Sequence, residues 1–98
     1  MQDGIVFIGV DVGKAELLVA TLPSDKQQPI GEMFRLPNTD GAIGKWLRTL
    51  PAGSSIAMES TGRYHQRLAL LAIQAGMKVY VLNARDVHFY AKALGARG

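Results

Sequence analysis

The stretch Ile5-Val6-Phe7-Ile8-Gly9-Val10-Asp11-Val12-Gly13-Lys14 joins an unbroken apolar run to an acid and a tight turn. A run of this kind over residues 5–10 is typical of a central strand that is buried on both faces. A carboxylate at the end of such a strand is costly unless it is compensated, and a divalent cation is a usual compensation. Asp11 is therefore the first candidate metal ligand.

A second acid follows another apolar segment, in Ser55-Ile56-Ala57-Met58-Glu59-Ser60-Thr61-Gly62. Residues 55–58 predict a strand, and Glu59 comes where that strand ends. If the two strands are neighbours, Asp11 and Glu59 lie about one strand spacing apart, roughly 5 Å. Oxygen ligands at that separation suit a hard cation such as Mg²⁺ or Mn²⁺. The pair is therefore a candidate metal site.

Turn signals and apolar spacing predict eight elements in the order β-β-β-α-β-α-β-α. Strands are expected at 5–10, 16–22, 30–36, 55–58 and 78–82, with helices beginning after residues 38–40, 60–61 and 83. Strands joined through a helix lie parallel, with right-handed crossovers. The result is an α/β fold with a mixed five-stranded sheet in the order 3-2-1-4-5, strand 2 antiparallel, and helices on the faces. Asp11 and Glu59 then meet at the carboxyl ends of strands 1 and 4, where open α/β sheets bind ligands.

Several local predictions accompany this topology. Gly13 is expected to supply a positive φ in the first hairpin, and Gly76 a left-handed cap at the end of the second helix. Ser60 and Thr61 are expected to cap that helix at its start. Tyr64 falls on its apolar stripe and is expected in the core; a stacking platform is the alternative.

Composition narrows the class of protein. The 98 residues indicate one domain, and the absence of cysteine excludes disulfides, thiolate metal sites and thiol nucleophiles. The chain has no apolar window long enough to span a bilayer and no basic signal region, so a cytoplasmic protein is expected. The net charge is +3, and the chain after Arg48 is basic, with six cations against two acids: Arg63, Arg67, Lys78, Arg85, Lys92 and Arg97 against Glu59 and Asp86.

This charge distribution favours a phosphate-bearing partner. Arg63 and Arg67 lie one helical turn apart near Glu59 and are candidate contacts for a nucleic-acid backbone; a solvated helix face is the alternative. Lys14 is close to the predicted acid pair and is either a phosphate contact or a solvated lysine.

Three segments together resemble one family: Gly9-Val10-Asp11-Val12-Gly13-Lys14, Met58-Glu59-Ser60-Thr61-Gly62-Arg63-Tyr64 and Tyr90-Ala91-Lys92-Ala93-Leu94-Gly95. They resemble the DEDD transposases of bacterial insertion sequences, relatives of the Piv DNA invertase with a RuvC-like N-terminal domain. The resemblance implies a ribonuclease H-like fold and a bacterial DNA transposase or recombinase that cuts and rejoins DNA.

In that family four acids bind two magnesium ions, and the motif match makes Asp11 the first and Glu59 the second. The third and fourth, in a Lys-Thr-Asp-x-x-Asp stretch, would follow Gly98. The resemblance thus implies a single RuvC-like domain over residues 1–98, truncated before its last two acids and without the C-terminal transposase domain. We expect this portion alone not to cleave DNA. DNA, a structured guide RNA and further copies of the chain are the implied partners of the intact protein.

Two other functions remain open. An actin-like ATPase shares the β-β-β-α-β-α core and an Asp-x-Gly loop after its first strand, although Glu59-Ser60-Thr61-Gly62 has no obvious role there. A non-catalytic nucleic-acid-binding or dimerisation scaffold with vestigial acids is the second alternative.

Overall fold

A five-stranded mixed sheet and two helices make up the described part of the chain. The computed structural model describes residues 6–22, 33–60 and 62–82. The elements in chain order are β1 (Phe7–Val12), β2 (Glu16–Leu22), β3 (Met33–Pro37), α1 (Asp40–Leu47), β4 (Ser55–Ser60), α2 (Gln66–Gln74) and β5 (Lys78–Leu82).

The sheet has the predicted order, β3-β2-β1-β4-β5. The strand β1 pairs antiparallel with β2 and parallel with β4, while β4 is parallel to β5 and β2 antiparallel to β3. A sharp turn joins β1 to β2. By contrast, α1 connects β3 to β4, and α2 connects β4 to β5. The predicted α/β topology, with strand 2 antiparallel, is confirmed.

The hydrophobic core lies on one face of the sheet, beneath α1 and α2. Alternate residues of the strands point into it, and each fully buried aliphatic side chain stabilises the fold by about 1.5–3 kcal/mol. Trp46 of α1 contacts Phe34 of β3 edge-to-face, with ring centroids 6.4 Å apart. The buried apolar residues are Ile8, Val10, Val12, Leu17, Val19, Ile43, Trp46, Leu47, Ile56, Met58, Leu68, Ala72 and Met77.

The prediction that the first strand is buried on both faces is wrong for the described part of the molecule. Burial alternates along β1, so that Ile8, Val10 and Val12 are buried while Phe7 and Asp11 are exposed. The physical reason is that both described helices pack on the same face of the sheet. The predicted third helix, after Asn83, lies outside the described residues, as do residues 30–32 of the predicted third strand.

The start of α2 also differs from the prediction. The helix begins at Gln66, because β4 continues through Ser60 and a turn over residues 62–65 follows. Ser60 is therefore a strand residue and not the cap of α2, while Thr61 lies outside the described residues. The cap position is occupied by His65, which makes no side-chain capping hydrogen bond.

Two glycine predictions have opposite outcomes. Gly76 has φ +87°, which confirms the left-handed conformation after α2. Gly13 does not have a positive φ, so that prediction is wrong; its N–H donates to the Glu16 carbonyl at 2.9 Å. A Cβ at Gly13 would lie 3.0 Å from that carbonyl oxygen, so a close backbone approach explains this glycine.

Candidate metal centre and basic cleft

Asp11 and Glu59 are register partners on adjacent parallel strands. Each is the second-last residue of its strand, Asp11 in β1 and Glu59 in β4, and the two are paired directly across the sheet. Neighbouring strands are about 4.8 Å apart, and paired residues of parallel strands point to the same face. Since Val10 and Met58 enter the core, both acids lie on the opposite face, at the carboxyl edge of the sheet.

The chemistry of this pair fits a hard divalent cation. Two carboxylates side by side offer only oxygen donors, which Mg²⁺ and Mn²⁺ prefer. Asp11 is exposed and Glu59 half-buried, so desolvation alone does not require a cation there, contrary to the argument from a buried strand end. Within the described ranges, no group of three or more His, Cys, Asp or Glu side chains could hold a metal ion. The candidate site in those ranges therefore consists of the two acids Asp11 and Glu59.

A cleft of about 600 Å³ lies where three connections meet: the β1–β2 turn, the link between β3 and α1, and the segment that leads into α2. Three of its residues are lysine or arginine, and one is aromatic. The lining consists of Lys14, Asn38, Gly62, Arg63, Tyr64, Gln66 and Arg67. The three cations predicted to contact nucleic acid are therefore brought together on one concave surface.

Asn38 holds these connections together. Its side-chain amide donates to the Gly13 carbonyl at 2.9 Å and to the Tyr64 carbonyl at 3.2 Å, and its backbone N–H donates to the Ala15 carbonyl at 2.9 Å. The residue is only 6% exposed. Within the segment 38–40, after which the first helix was expected to begin, the cap is Thr39, whose hydroxyl accepts from the Ala42 N–H, while Asn38 has this separate role. No local pattern reveals bonds to residues 25 and 26 positions away.

The cations differ in how they are engaged. Arg67 donates from Nε to Asp40 at 2.8 Å and from one terminal nitrogen to the Asn38 carbonyl at 2.6 Å, so much of its guanidinium is already used. Lys14 and Arg63 are exposed and form no ion pair with any residue of the described ranges. The structure therefore leaves Lys14 and Arg63 as the more available cations, and Arg67 braces the wall of the cleft.

Two neighbouring side chains, Tyr64 and His65, lie in the turn just before α2. Tyr64 is 42% exposed, so the prediction that it lies in the core is wrong; α2 begins after it, and the residue belongs to the preceding turn. The Nδ1 atom of His65 is buried and has no hydrogen-bond partner among the described residues.

A comparison with protein families identifies the class to which the chain belongs. A family described as a transposase, of the DEDD type found in IS110 elements, matches residues 8–98. The chain is a member of the DEDD transposase family. This match spans Asp11, Glu59 and the whole of the basic cleft, and it confirms the family indicated by the sequence motifs. No curated protein matches the chain significantly.

Solved structures with a similar fold include RuvC. Thermus thermophilus RuvC has a TM-score of 0.57 at 15% identity, covering 81% of this transposase chain and 64% of RuvC. T. thermophilus RuvC in complex with a Holliday junction substrate has a TM-score of 0.63 at 15% identity, with coverages of 96% and 72%. These similarities confirm the ribonuclease H-like, RuvC-like fold.

An inorganic polyphosphate/ATP-glucomannokinase from Arthrobacter sp. strain KM is also similar, with a TM-score of 0.59 at 21% identity. The alignment covers 91% of this chain and 48% of the kinase. Across these three structures, the chain spans between about half and three quarters of the neighbour's length. The similarity to the kinase concerns the fold alone. Neither described helix has the length or the apolar character that a bilayer crossing requires.

Proposed function

We propose that this chain is the N-terminal catalytic portion of a bacterial DNA transposase that cuts and rejoins DNA through metal-dependent phosphodiester chemistry when intact. The observation that carries the proposal is the register pairing of Asp11 with Glu59 on adjacent parallel strands, at the edge of the sheet where such folds bind ligands. The transposase family match over residues 8–98 supports the same reading.

In this proposal, Asp11 and Glu59 are the catalytic acids and hold one divalent cation, Mg²⁺ or Mn²⁺. Such a cation polarises a phosphoryl oxygen and lowers the pKa of a bound water molecule. Asp11 is exposed and Glu59 half-buried, so the pair is accessible to a phosphodiester from the face of the sheet that the described helices do not cover. Two carboxylates hold a single cation weakly. We therefore expect no DNA cleavage by this chain alone.

Lys14 and Arg63 contact the phosphate backbone of the nucleic acid in this proposal. Both are exposed, line one cleft and lack an ion-pair partner within the described ranges. DNA is the proposed substrate, while a structured guide RNA and assembly into a homo-oligomer remain predictions for the intact protein. A cytoplasmic location is proposed on the same basis, because the DNA of a bacterial cell lies there.

Paramagnetic line broadening tests the metal site. Mn²⁺ is titrated into the isotopically labelled chain, and we expect selective broadening of amides around Asp11 and Glu59 without nucleotide. Asp11→Asn and Glu59→Gln should each abolish it, because each removes one of two anionic ligands. Glu16→Gln is the charge-matched control and should leave it intact, since the Glu16 carboxylate is already paired with Arg35 at 2.8 Å.

Two outcomes would contradict the proposed metal site. Broadening that requires ATP and centres on Gly13 and Lys14 would favour the ATPase alternative. Broadening that is absent, or unchanged in both acid variants, would favour the scaffold alternative. DNA nicking by the chain that requires metal and is abolished by Asp11→Asn would overturn the expectation that this portion is inactive.

The salt dependence of binding tests the basic cleft. We expect the double variant Lys14→Gln/Arg63→Gln to reduce the slope of log K against log salt by about 0.7 for each lost phosphate contact with a single strand, or about 0.9 with duplex DNA. Lys45→Gln, an exposed cation of α1 outside the cleft, is the control and should leave the slope unchanged. An unchanged slope in the double variant would remove Lys14 and Arg63 from the proposed interface.

A further inference from the structure

Tyr64 is an aromatic side chain exposed on a fixed segment of backbone. It is 42% exposed and lines the basic cleft. Among the described residues, the ring-to-ring contact found is that of Phe34 with Trp46, so Tyr64 stacks on no other aromatic ring there. Its carbonyl accepts a hydrogen bond from Asn38, which ties this segment to the buried link between β3 and α1. The ring is therefore displayed at the cleft and not packed into the core.

The segment that carries Tyr64 is braced from both sides. Asn38 bonds both to the Tyr64 carbonyl and to the Gly13 carbonyl of the β1–β2 turn. Arg67, in the first turn of α2, donates to the Asn38 carbonyl and to Asp40. A surface that is already ordered loses less conformational entropy when a ligand binds. The cleft is therefore organised before any ligand arrives.

The charges around Tyr64 fit a nucleotide better than an apolar ligand. Lys14 and Arg63 line the same cleft as the ring and form no ion pair with the described residues. A volume of about 600 Å³ falls within the range of small-molecule sites. An aromatic ring flanked by cations is the combination with which proteins hold single-stranded nucleic acid, the base on the ring and the phosphates on the cations.

We infer that the cleft binds an unpaired nucleotide, with its base stacked on Tyr64 and its flanking phosphates on Lys14 and Arg63. Within a duplex both faces of a base are covered by its neighbours, so only an unpaired or extruded base can present a face to the ring. This inference rests on the proposed function and deepens it, because it assigns single-stranded nucleic acid, and not a continuous duplex, to this surface.

Fluorescence anisotropy with labelled oligonucleotides tests the inference on the full 98-residue chain. The probes are a single strand, its duplex and a single strand of the same length with abasic residues. We expect the base-containing single strand to bind tightest. Tyr64→Leu should weaken its binding by about five- to 150-fold, the effect of losing one stacked base. Tyr64→Phe keeps the ring and should bind within about twofold of the unmodified chain, and the abasic strand should be insensitive to both substitutions.

Equal binding of the base-containing and abasic strands by the unmodified chain would overturn the inference. Full affinity in Tyr64→Leu, or tighter binding of the duplex, would overturn it as well. The proposed phosphate contacts are judged separately, from the salt slope of Lys14→Gln/Arg63→Gln on the abasic strand. A reduced slope there with no effect of Tyr64→Leu would mean backbone binding without stacking. An unchanged slope would mean that the phosphate contacts of the proposed function are themselves wrong.

Discussion

Gly13 is constrained by space at the turn between β1 and β2. Its N–H donates to the Glu16 carbonyl, and a Cβ placed on it would lie 3.0 Å from that backbone oxygen. Backbone yields less readily than the end of a flexible side chain, so a methyl group there must distort the turn that follows Asp11. The close approach of the Glu16 carbonyl, three positions along the chain, therefore explains why position 13 is a glycine, and a left-handed φ does not.

A matched pair of substitutions checks this explanation. Gly13→Ala should lower the free energy of unfolding by about 1–3 kcal/mol, as overpacking does. Gly41→Ala, in α1, meets no atom within 4 Å and should raise it by about 0.5–1 kcal/mol, because alanine restricts the unfolded chain. Urea denaturation followed by circular dichroism measures both. A Gly13→Ala variant as stable as the parent would show that the turn relaxes without cost.

Tyr64 and Arg67 illustrate how far a residue's role depends on where an element begins. Helical spacing after the predicted cap at residues 60–61 places Tyr64 on the apolar stripe, but α2 begins at Gln66 and leaves Tyr64 in a turn, 42% exposed. Arg67 has the same charge as Arg63, yet it is held by Asp40 and the Asn38 carbonyl. The charge of an arginine therefore does not reveal from the sequence whether its guanidinium is held by other residues, as in Arg67, or is free of ion pairs with the described residues, as in Arg63.

At the scale of the elements, Asn38 couples three connections that are far apart in sequence. The β1–β2 turn carries Lys14, and the segment before α2 carries Arg63 and Tyr64. Both connections are hydrogen-bonded to the same buried amide, which fixes their separation. The spacing between the cations of the cleft thus depends on a residue that does not itself carry charge.

Asn38→Ala tests this coupling. The substitution leaves two backbone carbonyls without their donor, and we expect the free energy of unfolding to fall by about 1–3 kcal/mol. Gln66→Ala, an exposed residue of the same cleft with no hydrogen bond of its side chain to the described residues, should change it by less than about 0.5 kcal/mol. Chemical denaturation of the two variants measures the difference. Equal stability of Asn38→Ala and the parent would contradict a structural role for the amide.

At the scale of the whole molecule, the described helices cover one face of the sheet and the acids lie on the other. Phe7, Met33 and Tyr80 are each about half exposed on the acid-bearing face. This arrangement leaves Asp11 and Glu59 accessible while the opposite face supplies the core. Separation of the stabilising face from the acid-bearing face allows charge to be placed at the edge of the sheet without disturbing the packing.

The position of β1 in the sheet predicts where stability is highest. It is the middle strand of five and is paired on both sides, whereas β3 is an edge strand whose ion pair between Arg35 and Glu16 is solvent-exposed and contributes little. In native-state hydrogen exchange, the bonded amides of β1 should therefore exchange slowest, and those of β3 should exchange through local opening. Protection of β3 equal to that of β1 would contradict this gradient.

The sequence by itself determined the strands β1, β2, β4 and β5 to within a few residues, the order of the sheet and the two acids at its carboxyl edge. Apolar periodicity, prolines and glycines act locally, and crossover rules leave few ways of joining such elements. The motifs containing Asp11 and Glu59 also indicated the family that the comparison confirmed.

Only the tertiary structure decided which face the described helices cover, how the cleft is braced and which of its cations lack an ion-pair partner among the described residues. The bonds of Asn38 to Gly13 and Tyr64 join residues 25 and 26 positions apart, and those of Arg67 to Asp40 and Asn38 join residues 27 and 29 apart. Such contacts leave no periodic trace in the sequence, because they depend on how complete elements pack. The pairing of Asp11 with Glu59 has the same origin: each acid is visible in its own strand, but their shared register exists only in the folded sheet.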